Sequence, residues 1–281
     1  MVRSIIVSST GEEAEALLEA GPRRDFIELA KAADAEVVYR PAGRKRTGVW
    51  GRIAGAHMSQ AWRAARDARR GDATLADGEH IGIPLALFLA ARGKRRTVRL
   101  VMLGHFVSKR WKVAALRLAS RAYPAATVLV HSVRQRDLVA PVLGGGWTVR
   151  TVPYHVDTRF WRRRCSAAHG ARIVLAVGSE ARDYGTLVEA ARGIDAEVVI
   201  AAGSHWARSI AGVRDKPSNI RYLSEVLSFT QLRDLYERAS LLVVPLQDVP
   251  NQSGVTAILE AMSMGLPVIV TATEGQRELV A

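Results

Sequence analysis

Short apolar runs and amphipathic stretches alternate along the whole chain. Residues 4–8, 36–39, 73–76, 97–103, 127–131 and 148–153 are too short for helices and rich in β-branched and aliphatic side chains, so they read as strands. Between them, residues 24–32, 53–70, 84–91, 109–122 and 133–142 carry apolar positions at helical spacing. This is the βα pattern of a parallel sheet covered on both faces. The second half repeats the alternation without repeating the sequence. Its strands are expected at 173–177, 197–202, 220–223, 241–245 and 268–271, and its helices at 184–191, 229–238 and 255–264. Residues 156–172 are charged, mixed and aperiodic, and read as a linker. With 281 residues there is length enough for two domains. The expected division is 1–158 and 159–281.

The most informative stretch is 241–280. Gln252, Ser253 and Gly254 stand at the entrance of the helix that begins with Val255 and Thr256. There, unpaired backbone N–H groups and the positive dipole end form a ready site for a phosphate. Glu260 lies about two turns beyond Gln252 at 3.6 residues per turn. Gly265-Leu266-Pro267 stops the helix and opens the next strand. Elsewhere, Val177-Gly178 ends a strand and Arg182 precedes a helix. His105 follows a strand at its carboxyl end, the edge where open α/β sheets collect ligands. Asp77-Gly78-Glu79-His80 also joins a strand to a helix. These potential ligands suit a metal or acid–base site, but Glu79 and His80 are better read as acceptor-side or interdomain residues, Glu79 also fitting as a favourable charge at a helix start. Gly144-Gly145-Gly146 reads as a turn, because no helix follows directly.

Several of these segments carry a resemblance. Leu259-Glu260-Ala261-Met262 followed by Gly265, Pro267 and Val268, the run Tyr154-His155-Val156-Asp157-Thr158-Arg159-Phe160, the step His131-Ser132-Val133-Arg134, and Arg182-Asp183-Tyr184-Gly185-Thr186-Leu187 are together similar to the retaining glycosyltransferases of the GT-B fold, the group 1 family. The resemblance implies an α/β, GT-B architecture of two doubly wound Rossmann-like domains facing across a cleft. It also implies that the second is incomplete, since the family continues past the position of Ala281 through further strands and a terminal helix. By the same resemblance Glu260 holds the ribose of a nucleoside diphosphate sugar. Gln252 stands where the family usually has an acidic residue and contacts the donor sugar through an amide that brings no negative charge. Arg182 takes the place of the phosphate-binding lysine, while Ser179 stands where an arginine is usual. Ser253, Gly254, Val255 and Thr256, with Gly178, complete the donor-binding set. His105 contacts the donor near the anomeric carbon, so the catalytic candidates are His105, Arg182 and Gln252.

The implied function is transfer of a sugar from a nucleoside diphosphate sugar to an acceptor, with retention. No permanently bound cofactor or metal is expected, and the chain has no Asp-x-Asp of the kind that metal-dependent transferases use to hold a diphosphate. Two other readings stand beside it: a non-catalytic GT-B-like protein that binds anionic membrane or polyanion through its basic half, and a nucleotide-sugar epimerase.

Charge changes the picture of partners. Residues 1–164 carry 30 Lys/Arg against 14 Asp/Glu, whereas residues 165–281 carry 10 against 13. Not one acidic residue lies between Glu79 and Asp137. Such a field favours an anionic partner: a membrane leaflet, nucleic acid or an acidic acceptor, lipid-linked or polysaccharide. No zinc spacing or recognition-helix pattern points to a specific nucleic acid. In the helices expected at 53–70 and 109–122, the rows Met58, Ala61, Trp62, Ala65 and Trp111, Ala115, Leu118 are expected to pack on their own sheet, with contact to anionic lipid as an added role. The single Cys165 and the lack of a secretory leader or a ~20-residue apolar span point to the cytoplasm, with a peripheral place on the inner membrane face.

Overall fold

A computed structural model describes residues 3–11, 21–40, 49–94, 97–164, 172–203, 217–249, 252–276 and 278. The chain divides into two compact units at Pro153–Tyr154. In the first, strands β1 (Ser4–Gly11), β2 (Ala35–Arg40), β3 (Ala73–Ala76), β4 (Arg99–Gly104), β5 (Ala126–Val130) and β6 (Trp147–Thr151) pair in the order β2-β1-β3-β4-β5-β6. All these pairings are parallel. The connecting helices are α1 (Asp25–Ala33), α2 (Val49–Asp67), α3 (Glu79–Ala91), α4 (Arg110–Ala122) and α5 (Val133–Val139). On one face of the sheet α2, α3 and α4 share a core that includes Ala61, Leu85, Leu89, Met102 and Leu116. On the other, Phe26 and Ala30 of α1 cover Ile6.

Two expectations need correcting here. Helix α3 starts at Glu79, not at Pro84, which lies inside it. Pro84 removes one intrahelical N–H bond, but its neighbours Ile83, Leu85 and Ala86 are buried and hold the helix through packing. Helices α2 and α4 also turn differently from the expected faces. Helix α2 buries Gln60, Ala61, Ala64 and Ala65 and leaves Met58 and Trp62 exposed. Helix α4 buries Leu116, Ala119 and Ser120, while Trp111 and Leu118 face outward. The small alanines allow close approach to the sheet, and the larger side chains are left on the rim.

The second unit has strands β7 (Ile173–Val177), β8 (Glu197–Ala201), β9 (Ile220–Leu223), β10 (Leu241–Val244) and β11 (Val268–Val270), with helices α6 (Tyr184–Ala190), α7 (Phe229–Arg238) and α8 (Val255–Ser263). The order is β11-β10-β7-β8-β9, again parallel. Both faces are covered. Tyr184, Leu187 and Val188 pack against Ala176 and Ile200, while Tyr236, Ile258 and Ala261 pack against Leu175 and Leu242. Strand order reverses between β7 and β10, which makes the carboxyl ends of these two strands the switch point where a crevice opens. Residues 274–276 form one 3-10 turn. Among the described residues, no helix is long and apolar enough to cross a membrane. Cys165 lies outside the described residues.

Candidate functional site

The loops after β7 and β10 meet at the switch point of the second unit. Asp183 N–H donates to the Pro245 carbonyl at 3.0 Å and Gln247 N–H to the Ala181 carbonyl at 2.9 Å. These bonds clamp the two loops side by side and put Arg182 against the start of α8. The Arg182 guanidinium donates to the carbonyls of Val177 (3.0 Å) and Glu180 (2.7 Å). Two glycines make room for it. A Cβ on Gly178, at φ +92, would stand 2.7 Å from one guanidinium nitrogen. A Cβ on Gly254, at φ +83, would lie 3.2 and 3.3 Å from both terminal nitrogens and 2.8 Å from Val244. Left-handed φ and close approach thus both require glycine at these positions.

Gly254 is the N-cap of α8 and supplies no side-chain cap. The guanidinium therefore sits beside the uncapped first turn of a helix that carries no acidic residue there. Two sources of positive potential converge on one spot, a full charge and a dipole end, and this suits a phosphate. Ser253 is buried, and its carbonyl accepts a 2.6 Å bond from the Gln276 side chain, fixing the entrance from below. Gln252 is half-buried and Thr256 exposed, both at the helix entrance.

Glu260 sits on the same helix, half-buried. Its Oε2 accepts a 3.0 Å hydrogen bond from the hydroxyl of Tyr236 on α7. Burial pushes the Glu260 carboxyl up to about 7, against the pull of that bond toward the ionised form. Tyr236 is fully buried, and burial followed by the Glu260 charge raises its phenol well above the ordinary value. Its ring packs edge-on to Trp161 at 5.6 Å. The end of the connector motif joins the same core of the second unit, with Arg233 lying 4.4 Å over the Phe160 ring. Tyr184 donates to the Gly178 carbonyl, and burial raises its phenol to about 12. The two tyrosines thus line a network from Arg182 to Glu260. Sequence reading missed both, since nothing along the chain marks which buried hydroxyl meets which distant acceptor.

The remaining candidates belong to the first unit. Glu79 is buried, with Oε1 paired to Lys112 and Oε2 accepting the His105 backbone N–H at 3.0 Å. Burial alone would raise its carboxyl, but the Lys112 ammonium wins and holds it below the usual range. Its oxygens tie α3 to the loop between β4 and α4, a structural part that the sequence did not indicate. The His105 ring meets the Asp77 carbonyl through Nε2 at 2.9 Å and stacks on His131 at 5.2 Å. With Nε2 donating to that carbonyl, Nδ1 is the ring nitrogen able to accept. His80 is exposed overall, yet its ring folds over Gly78 and meets His57 edge-on at 4.3 Å. Lost hydration and the His57 charge lower it to about 4, so it is neutral at pH 7. Among the described residues no group of three potential ligands is placed to hold a metal ion.

Residues 171–281 match the family described as glycosyl transferases group 1. In fold, the whole chain is similar to HepE from Anabaena in complex with UDP and glucose, with TM-score 0.62 and 16% identity over 100% of this chain and 83% of that one. It is similar to the UDP-forming α,α-trehalose-phosphate synthase from Burkholderia xenovorans in complex with glucose-6-phosphate, with TM-score 0.62 and 13% identity over 99% and 88%. A third likeness is the catalytic domain of starch synthase IV from Arabidopsis thaliana bound to ADP and acarbose, with TM-score 0.62 and 9% identity over 100% and 85%. No curated protein matches. The fold is GT-B, and the family match lies within the second unit.

Proposed function

We propose that this chain transfers a sugar from a nucleoside diphosphate sugar to an acceptor, with the first unit on the acceptor side and the second on the donor side. The observation that carries the reading is the Arg182 guanidinium packed beside the uncapped, glycine-started end of α8. The diphosphate sits there, against Arg182 and the N–H groups of Val255 and Thr256, while Glu260 accepts the ribose hydroxyls. As the anomeric C–O bond breaks, the leaving diphosphate keeps the electron pair and its charge is met by the guanidinium and the helix dipole. The acceptor oxygen bonds to the anomeric carbon, and its proton passes to the leaving phosphate oxygen. Retention follows when attack and departure share one face of the sugar. Gln252 and the acceptor nitrogen of His105 bind sugar hydroxyls. The positive charge already on the protein leaves no step that calls for a divalent ion. The HepE and trehalose-phosphate synthase structures hold UDP and a sugar phosphate respectively, which supports this class of donor and acceptor. The basic first unit fits an anionic acceptor, lipid-linked or polysaccharide, met at the inner face of the membrane.

Calorimetric titration with UDP, ADP and GDP tests the donor site. At least one diphosphate binds saturably to the wild type, and Arg182→Gln, which removes the charge, weakens it at least tenfold with the fold retained by circular dichroism. A wild type that takes up none of the three, or a variant that binds as tightly, removes the proposal.

A further inference from the structure

Helix α4 leaves two of its largest apolar side chains, Trp111 and Leu118, on the solvent face. Trp111 is 63% and Leu118 59% exposed, although each is among the larger apolar side chains of the unit. Seven residues are close to two turns, so the two form one row along the helix. Beside it runs a second exposed row, Arg110, Arg117 and Arg121. Among the described residues no carboxylate pairs with these three, in keeping with the absence of acidic residues between Glu79 and Asp137. Phe106, 39% exposed, adds an apolar ring near the start of α4, 5.6 Å from the Lys112 ammonium.

A surface that covers such a face must offer hydrocarbon to one row and negative charge to the next. We propose that α4 docks on an anionic lipid bilayer, with Trp111 and Leu118 at the headgroup–acyl boundary and Arg110, Arg117 and Arg121 on the lipid phosphates. Interfacial helices bury an apolar face shallowly and hold it with flanking cations, and tryptophan favours that depth. A nucleic acid would engage the arginine row and leave the Trp111–Leu118 row wet. Lys112, one residue past Trp111, is the partner of Glu79, which in turn holds the loop of His105. The docked face thus brings the bilayer beside that loop, where a lipid-linked acceptor arrives. The surface belongs to the first unit, the donor site to the second, and its binding can be measured without any nucleotide.

Cosedimentation of the full chain with vesicles of phosphatidylglycerol and phosphatidylcholine, against phosphatidylcholine alone, tests it. Binding is expected only with the anionic lipid and is expected to weaken from 50 to 500 mM salt, over which the screening length falls from about 14 Å to about 4 Å. Trp111→Ser with Leu118→Ser lowers the affinity at least tenfold while the diphosphate titration and the melting temperature stay unchanged. Replacing Arg110, Arg117 and Arg121 by Gln lowers it about a hundredfold, on the scale of roughly tenfold or less per cation, and flattens the salt dependence. A wild type that remains in the supernatant with anionic vesicles at 50 mM salt overturns the proposal. So does a Trp111/Leu118 variant that binds as well as the wild type. A wild-type dimer in sedimentation that the same variant makes monomeric also overturns it, by assigning the face to a second copy. Lost vesicle binding with intact nucleotide binding removes this proposal alone, and the converse removes the donor site alone.

Discussion

Glu260 sits in a place that costs the native state free energy, and the cost can be measured. Its carboxyl has an ordinary value of 4.5 and is pushed up to about 7, chiefly by burial. At about 1.36 kcal/mol per unit, the displacement corresponds to roughly 3 kcal/mol as an upper value. Residual hydration of a half-buried side chain reduces it to about 1–2 kcal/mol. The folded value lies above the unfolded one, so the native state binds the proton more tightly. Stability from this group is complete below about pH 4.5 and is lost as pH rises through about 7. Glu260→Gln keeps an oxygen for the Tyr236 hydroxyl and removes the buried charge. The variant should match the wild type near pH 4.5 and exceed it by about 1–2 kcal/mol at pH 8, a rise on the order of 5 °C in melting temperature for a unit of this size. The assay is thermal melting of both proteins at half-unit steps from pH 4.5 to 8.5. A gap that stays constant across the series refutes the reasoning, because a merely structural change in packing has no reason to follow that proton. In the same variant the diphosphate affinity should fall, since an amide is a weaker acceptor for ribose hydroxyls than a carboxylate. A residue that stabilises when removed and is needed for binding is the signature of a functional site.

Other positions give independent checks. Tyr236→Phe removes the donor to Glu260 and should raise that carboxyl further, moving the pH midpoint of nucleotide binding upward; an unshifted profile would deny the bond its role. Gly254→Ala forces a side chain into left-handed backbone against Val244 and Arg182, costing about 1–2 kcal/mol from the backbone alone, and should weaken nucleotide binding in titrations of the refolded variant. Glu79→Ala leaves the Lys112 ammonium without its buried partner and should cost on the order of 3–5 kcal/mol in thermal or urea unfolding; a loss below 1 kcal/mol would show that the pair is not buried in solution.

Much of this architecture is written locally. Helix α7 falls at Phe229–Arg238 as its period predicts, because Ser228 and Gln231 form a capping box that fixes its start. The donor loop is legible for the same reason: a glycine N-cap and a helix-terminating Gly-Leu-Pro are short-range signals. Helix faces were harder to read. In α4 Trp111 and Leu118 suggested the buried row, whereas Leu116, Ala119 and Ser120 occupy it, because close packing on the sheet selects for size as much as for hydrophobicity. The start of α3 was hidden by Pro84, whose tolerance depends on tertiary packing around it. The roles of Tyr184, Tyr236 and Lys112 depend on partners 6, 24 and 33 residues away, and no local pattern encodes such pairs. Gln252 shows only its place at the helix entrance, and its contribution awaits the sugar it meets.

The central claim is that one helix end reads both the phosphates and the ribose of a nucleotide. The structure of the chain with a bound nucleoside diphosphate tests it most directly. The account predicts phosphate oxygens within hydrogen-bonding distance, about 2.7–3.2 Å, of the Arg182 guanidinium and of the Val255 and Thr256 N–H groups, with ribose hydroxyls on Glu260. A nucleotide seated elsewhere, or one whose ribose leaves Glu260 bonded to Tyr236 alone, would contradict it.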